Sequence, residues 1–444
     1  MTQFHDRAVI VSTGDEVTVG QLLDTNGQWI AQRLMEVGIL PVEHATVPDD
    51  LGALVATLRR ACDTAPLVVM SGGLGPTEGD LTRQAVAELT RDRLVLDEGA
   101  RATIAAMLAR RGRAMTERQE RQAMRPERAE ILANAVGTAP GLHARAKSAG
   151  AWGVSDVLCL PGPPGELRPM WASGVVARLR LEPDRAIVTR LCHIVGVPEA
   201  ECVQRLGDLT KRDARPLVGI TASGGILTLR IRADERGPDA AARAAGLVDG
   251  AEARARGVLG DHLFASGSGP GWENLVRRVI GLLVERGQTL GVVESCTGGM
   301  LGEMLTFAGG ASAAFVGGAI TYADGLKREL GVAAATIAAH GAVSRPVALE
   351  MASAGLARTG ADHCLAITGV AGPGGGSEHK PVGTVHIALE SRVGAGGGGG
   401  EARKFLFTGD REDIRRRAAV SALAMLYFRL RGSDAGTMLW EVPA

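Results

Sequence analysis

Glu294-Ser295-Cys296-Thr297-Gly298-Gly299 places two hydroxyls and a thiol at the point where an apolar strand gives way to a helix. Gly309-Gly310-Ala311-Ser312, Thr321-Tyr322 and Lys327 follow it closely. A hydroxyl or thiol nucleophile needs a base that can lose its proton. No His/Asp pair is spaced for a triad, and arginine cannot serve because its pKa stays above ~12. Lysine can, once desolvation brings it from ~10.4 to ~7–8, a change of roughly 4 kcal/mol. The choice of lysine is informative here. Only five of the 49 basic residues are Lys (147, 211, 327, 380 and 404), and the rest are Arg. Lys327 and Lys380 both fall inside motifs, and Tyr322, one of two tyrosines, precedes Lys327 by five positions. A relay from a serine through Tyr322 to Lys327 fits this pattern; a surface lysine beside a packed tyrosine fits it equally.

A second cluster lies near the N-terminus. Gly72-Gly73-Leu74-Gly75-Pro76-Thr77 follows a buried strand and leads to Asp80 at an expected helix start. Such glycines let the backbone approach a ligand, and unpaired helix N–H groups favour an anion. Asp15 and Glu16 end the first strand and are expected in the same crevice, at the carboxyl ends of parallel strands. Asp80 with Asp15 would then suit a divalent metal bridging phosphates. A plain turn with Asp80 as N-cap is the alternative.

The elements that must position these groups alternate strand and helix. Ala8–Ser12, Ile39–Val47, Pro66–Met70 and Asp156–Leu160 are expected strands; Asn26–Val37, Leu51–Cys62 and Asp80–Leu89 are expected helices. This is an α/β pattern with a parallel sheet covered on both faces. A small α+β, KH-like module is expected over residues 181–265, between an N-terminal domain at 1–180 and an α/β domain at 270–432. Residues 265–271 look like a flexible linker, and the glycine run 396–400 like a hairpin loop. Asp324 is expected to cap the helix carrying Lys327. His340 and His379 are expected to cap or pack. Asp410, Arg411 and Arg415 open the last helix, where N–H groups and guanidinium forks can hold a phosphate.

Composition narrows the class. The 444 residues suggest two to four domains. Lys+Arg and Asp+Glu are equal at 49, so no basic excess points to nucleic acid. Six cysteines (62, 159, 192, 202, 296 and 364) show no CxxC pair and read as buried thiols of a reducing compartment. No signal peptide or membrane span is expected, and the chain is expected to be cytoplasmic.

The segments GDEVTVGQLLDTNGQWIAQRL, SGGLGPTEGDLT, NAVGTAPG and CLPGPPGELRPMW resemble the molybdopterin-binding, MogA-like domain in the form found in CinA proteins. The resemblance implies a phosphorylated ligand held by Asp15, Glu16, Asn26, Gly72, Gly73, Gly75, Thr77 and Asp80. It also implies a metal-dependent ADP-ribose pyrophosphatase. Gly79 stands where the family carries the first of two adjacent aspartates. ESCTGG, the GG-A-S-x-x-F stretch, TYADGLKRELGV, HGAVS, TGVAGPGGGSEHKPVGTVH and TGDREDIRRRA resemble the CinA C-terminal domain, the PncC-type nicotinamide mononucleotide amidase.

That second resemblance implies a serine amidohydrolase of pyridine nucleotide salvage, working as a homodimer without a cofactor. Ser312 would be the nucleophile, with Tyr322 and Lys327 as the proton-transfer pair. Ser295, Thr297, Thr368, Gly372, Gly375 and Arg415 would line the substrate pocket. Ser295 and Cys296 are rival nucleophiles, Cys296 because a helix N-terminus lowers a thiol pKa. Ten residues separate Ser312 from Tyr322, an extended span of ~33 Å, so the chain is expected to fold back at Gly317-Gly318. The alternative to catalysis is a competence- or damage-associated protein that only binds a ligand.

Overall fold

The computed structural model of the chain describes residues 4–392 and 399–443. Residues 396–398 of the expected glycine hairpin lie outside these. The chain divides into two compact units, Met1–Val188 with Asp234–Ala244, and Thr189–Ala233 with Ala245–Ala444.

In the first unit β1 (Arg7–Thr13), β2 (Leu40–Val47) and β3 (Leu67–Ser71) precede a short antiparallel ribbon, β4 (Leu94–Leu96) with β5 (Met124–Pro126). β6 (Glu130–Leu132), β7 (Gly141–Lys147) and β8 (Val154–Leu160) complete a sheet of order β2-β1-β3-β8-β7-β6. The first four are parallel, and β7 and β6 run antiparallel. Strand side chains alternate between faces, so β1 feeds two cores. Ala8 and Ile10 join Ile30, Leu34 and Trp171 on one side; Val9 and Val11 join Leu54, Leu58 and Val86 on the other. Asp24 and Asp50 cap the helices Thr25–Glu36 and Leu51–Thr64 by accepting from Gly27 and Ala53 N–H. A buried ion-pair network lies inside this unit: Asp156 accepts from His5 and His143 at 2.8 and 2.9 Å, and Arg180 lies against it.

β9 (Arg185–Val195), β10 (Leu217–Ser223), β11 (Ile226–Arg236) and β12 (Leu263–Ser266) form a sheet of order β10-β11-β9-β12, with helices Glu199–Leu206 and Ala240–Leu259. The expected flexible linker is tied down. Gly267 N–H donates to Leu191, Asn274 holds the carbonyls of Ser268 and Pro270, and Gly271 packs so closely that a Cβ would sit 2.6 Å from Ile226.

In the second unit β13 (Leu290–Glu294), β14 (Phe315–Ile320), β15 (His363–Gly369), β16 (Thr384–Ser391), β17 (Glu401–Leu406) and β18 (Glu441–Val442) give the order β14-β13-β15-β16-β17-β18. β14, β13 and β15 are parallel, and the rest are antiparallel. Helices Gly271–Glu285 and Arg411–Arg431 cover Leu290, Val292, Leu365 and Ile367; helix Arg345–Thr359 covers Val293, Cys364 and Ala366 on the other face. Gly317-Gly318 is not the expected fold-back but the middle of β14. A Cβ on Gly318 would lie 2.2 Å from the Val292 carbonyl oxygen, so glycine is what lets β14 lie against β13.

Candidate active site

Three parallel strands of the second unit release their chains at one end of the sheet, and the polar groups collect there. Glu294 ends β13 fully buried, and its carboxylate accepts from the N–H groups of Gly299, Leu301 and Gly302 at 2.9–3.0 Å. It thereby caps the helix Met300–Phe307, whose own N-cap, Gly299, has no side chain to offer. This capping carboxylate fixes the Ser295–Gly298 turn, with Gly298 and Gly299 at φ +60° and +99° as the turn requires. Ser295 and Thr297 are buried in it, and the Thr297 hydroxyl has no hydrogen-bond partner among the described residues.

Thr321 continues β14 and donates its N–H to the Glu294 carbonyl at 2.7 Å. Lys327, on helix Asp324–Leu330, is only 2 % exposed. Its ammonium donates to the carbonyls of Thr321 (3.0 Å) and Tyr322 (3.2 Å) and reaches Asp324 Oδ1 at 3.4 Å. Asp324 therefore pairs with Lys327 instead of capping the helix, whose N-cap is Ala323. The Tyr322 hydroxyl does not meet Lys327 in this arrangement. It is exposed and accepts from Arg411 Nη2 at 3.0 Å.

The helix Arg411–Arg431 closes the crevice. Asp410 caps it through Asp413 N–H, Arg411 Nη1 donates to Gly372 at 2.5 Å, and Arg415 donates twice to the Thr297 carbonyl, at 2.6 and 3.2 Å. Thr368 spends its hydroxyl on the Ala342 carbonyl (2.9 Å), and Lys380 Nζ holds the His340 carbonyl (2.8 Å). Gly372 and Gly375 have φ +77° and +81°, and a Cβ on Gly372 would lie 2.6 Å from Val382.

At the N-terminal crevice the glycines answer to packing. A Cβ on Gly72 would lie 2.6 Å from the Thr13 carbonyl, on Gly73 2.3 Å from Thr82 Oγ1, and on Gly75 2.6 Å from Asp80. Asp80 does not cap a helix, because the next one is Thr82–Thr90 with Leu81 as N-cap. Its two oxygens accept from Gly75 N–H, Thr77 N–H and the Thr77 hydroxyl, closing the 75–80 loop. Asp15 accepts from Asp49 N–H instead. A divalent cation takes several oxygen ligands around one centre. Among the described residues no group of three or more acidic, His or Cys side chains is placed to hold a metal ion. Asn26 bridges Ser71 Oγ (2.9 Å) and the Gly162 carbonyl (2.7 Å), joining two strand ends. The sequence reading missed Asp49. Burial pushes its carboxyl up, and the charges of Asp15 and Glu16 beside it add to that.

Family comparison matches three successive segments of the chain. Residues 272–430 match the CinA C-terminal domain, residues 9–181 the molybdopterin binding domain, and residues 189–265 the CinA KH domain of damage-inducible protein. A CinA-like protein of Anaeromyxobacter sp. (strain Fw109-5) is 39 % identical over 95 % of this chain and 98 % of its own length. The chain belongs to the CinA family. A CinA-like protein of Geobacter sulfurreducens is 37 % identical, with 95 % and 98 % coverage. A solved competence/damage-inducible protein from Agrobacterium tumefaciens is 40 % identical, covering 36 % of this chain and 96 % of its own, with a TM-score of 0.34.

In this CinA chain the fold gathers Ser295, Thr297, Tyr322, Lys327, Arg411 and Arg415 at one end of the sheet and leaves Ser312 out. Ser312 lies exposed in the single turn Ala311–Ala313 that precedes β14, whereas Tyr322 and Lys327 follow it. Six strand residues span roughly 20 Å, so the expected contact of Ser312 with Tyr322 and Lys327 does not form within one chain. Cys296 is buried, and burial pushes its thiol up to about 12, which disfavours the thiolate a nucleophile needs. No helix of the described residues is long and apolar enough to cross a membrane.

Proposed function

We propose that the C-terminal crevice is an amidohydrolase site that converts nicotinamide mononucleotide to nicotinate mononucleotide and ammonia. The observation that carries this reading is Lys327, a lysine sunk to 2 % exposure whose Nζ sits on the carbonyls of Thr321 and Tyr322, at the same end of the sheet as the turn that carries Ser295 and Thr297. Burying an ammonium costs free energy that a surface arginine in this Arg-rich chain would avoid. A serine hydroxyl adds to the carboxamide carbon, and its proton passes by way of Lys327 Nζ to the departing ammonia. Water cleaves the resulting ester and releases the carboxylate. Arg411 and Arg415, at the N-terminus of a 21-residue helix, support binding of the 5′-phosphate through charge-assisted hydrogen bonds.

Ammonia release from nicotinamide mononucleotide tests it. Wild type is expected to turn over without added metal, and Lys327→Met to lose about 10²–10⁴-fold while keeping its fold. No release by folded wild type would sink the reading and leave a ligand-binding role.

A further inference from the structure

Two of the five lysines, Lys380 and Lys404, gather with Arg345 around one buried histidine. His386 lies on β16 between Val385 and Ile387, which pack under helix Arg411–Arg431, so its own side chain faces helix Arg345–Thr359 on the other side of the sheet. It is 7 % exposed, and its Nδ1 has no hydrogen-bond partner among the described residues. A buried polar atom left unpaired is costly unless something from outside the chain meets it. The charges that reach this ring are Lys404, directly opposite on β17, Lys380 and Arg345. All three are cations, and burial together with their repulsion keeps the imidazole neutral at pH 7. Among the described residues no ion pair holds any of them. Lys380 Nζ donates to the His340 carbonyl and Arg345 Nε to the Ala402 carbonyl, which leaves other N–H donors on both groups. Arg345 also opens a 15-residue helix whose N-cap, Ser344, turns its hydroxyl back to the Gly341 carbonyl and caps no N–H. The positive end of the helix dipole therefore adds to the three charges.

We infer that Arg345, Lys380, Lys404 and His386 form a second anion site, on the sheet face opposite Arg415, and that it binds a phosphate group. The inference stands apart from the amidohydrolase reading, since none of the four residues takes part in that chemistry. Three cations and a helix N-terminus leave a carboxylate's single charge far short of balance, whereas a phosphate brings up to two charges and several acceptor oxygens. The guanidinium offers a fork, the two ammonium groups act as point charges, and the neutral imidazole can donate Nδ1–H to an oxygen. Arg345 is exposed, and Lys380 and Lys404 are half-buried, so the group enters from solvent between long side chains that can part around it. The phosphate can be free or the monoester of a small molecule; both offer the same oxygens to these four residues.

The His386 ring reports the site directly. In the full chain with its histidines labelled at ¹³Cε1, the His386 resonance is assigned by its absence from His386→Gln. Inorganic phosphate, added at pH 7 with ionic strength held constant by sodium chloride, is expected to displace that resonance to saturation. The resonance of His363, which is bonded to Ser391 and Gln288, is expected to stay in place. Lys404→Met is expected to need about tenfold more phosphate for the same displacement. Arg345→Gln, at an exposed position that the fold does not depend on, is expected to change the response in the same direction. AMP in place of inorganic phosphate separates the sources: half-displacement at a lower concentration marks an ester ligand, and at a higher one free phosphate. No displacement by either probe overturns the inference, as does an equal displacement by sodium chloride alone. An unchanged response in both Lys404→Met and Arg345→Gln overturns it too. Arg415→Lys is expected to respond as wild type does; loss of the His386 displacement there would place the phosphate in the crevice and defeat the second site.

Discussion

Arg415 donates twice to the carbonyl oxygen of Thr297, and this ties the first turns of the last helix to the turn that carries Ser295. The two residues are 118 positions apart. The bond makes the C-terminal helix part of the crevice wall, so the guanidinium positions the turn, and in the proposed function it also offers its charge to the 5′-phosphate.

Arg415→Lys keeps the charge and loses the two-pronged contact. A charge-assisted hydrogen bond of this kind contributes ~1.5–3 kcal/mol. The expected result is a KM for nicotinamide mononucleotide raised by about tenfold or more, with a smaller change in kcat. An unchanged KM would remove Arg415 from the binding wall.

Glu294→Gln is expected to destabilise the second unit. The carboxylate receives three N–H donors, and an amide offers one acceptor oxygen and adds an NH2 facing N–H groups. A loss of about 2–3 kcal/mol in urea unfolding is expected. A loss below about 0.5 kcal/mol would mean that water replaces the cap.

Cys296→Ala is expected to retain ammonia release within about twofold, because a thiol pushed up to about 12 is protonated at neutral pH. Reaction with iodoacetamide should be slow in the folded protein and fast in urea. Loss of activity in this variant would return the thiol to consideration.

Acid should weaken the second unit through His363 and His386. Burial pushes both imidazoles down to about 4, against ~6.5 when exposed. Between those values the unfolded chain binds more protons than the folded one, so stability is complete above about pH 6.5 and drains as pH falls toward 4. The urea midpoint is expected to drop over that window, and His386→Gln to flatten the drop. A midpoint level from pH 7 to pH 4.5 would contradict the assignment.

Gly79→Asp probes the N-terminal crevice. A Cβ at this position would lie 3.4 Å from Asp49 Oδ2, so the new carboxylate joins Asp49 and Asp15. Like charges in close quarters destabilise, and a divalent cation relieves them. The Tm is expected to fall in chelator and to recover in millimolar Mg²⁺, whereas wild type stays level in both. Equal Tm values for the variant with and without Mg²⁺ would show that the three carboxylates point apart.

Much of this was legible along the chain. Continuous apolar runs located β1, β3, β8 and β13, and the scarcity of lysine singled out Lys327. The cap expected of Asp324, and the cap offered as the alternative for Asp80, fail because a carboxylate beside a helix start looks like a cap, while its bonds depend on which loop or side chain folds over it. Glu294 and Asp49 carried no local signal, since their partners come from a following helix turn and from the end of another strand.

The sequence by itself determined the α/β alternation, the family motifs and the residue types that can do chemistry, because these depend on spacing along one strand or helix. Only the tertiary structure decided which of them meet. A straight β14, held against β13 by the bare backbone of Gly318, sends Ser312 to one end of the sheet and Lys327 to the other. That separation depends on strand packing across the sheet, which the order of residues within a motif does not encode.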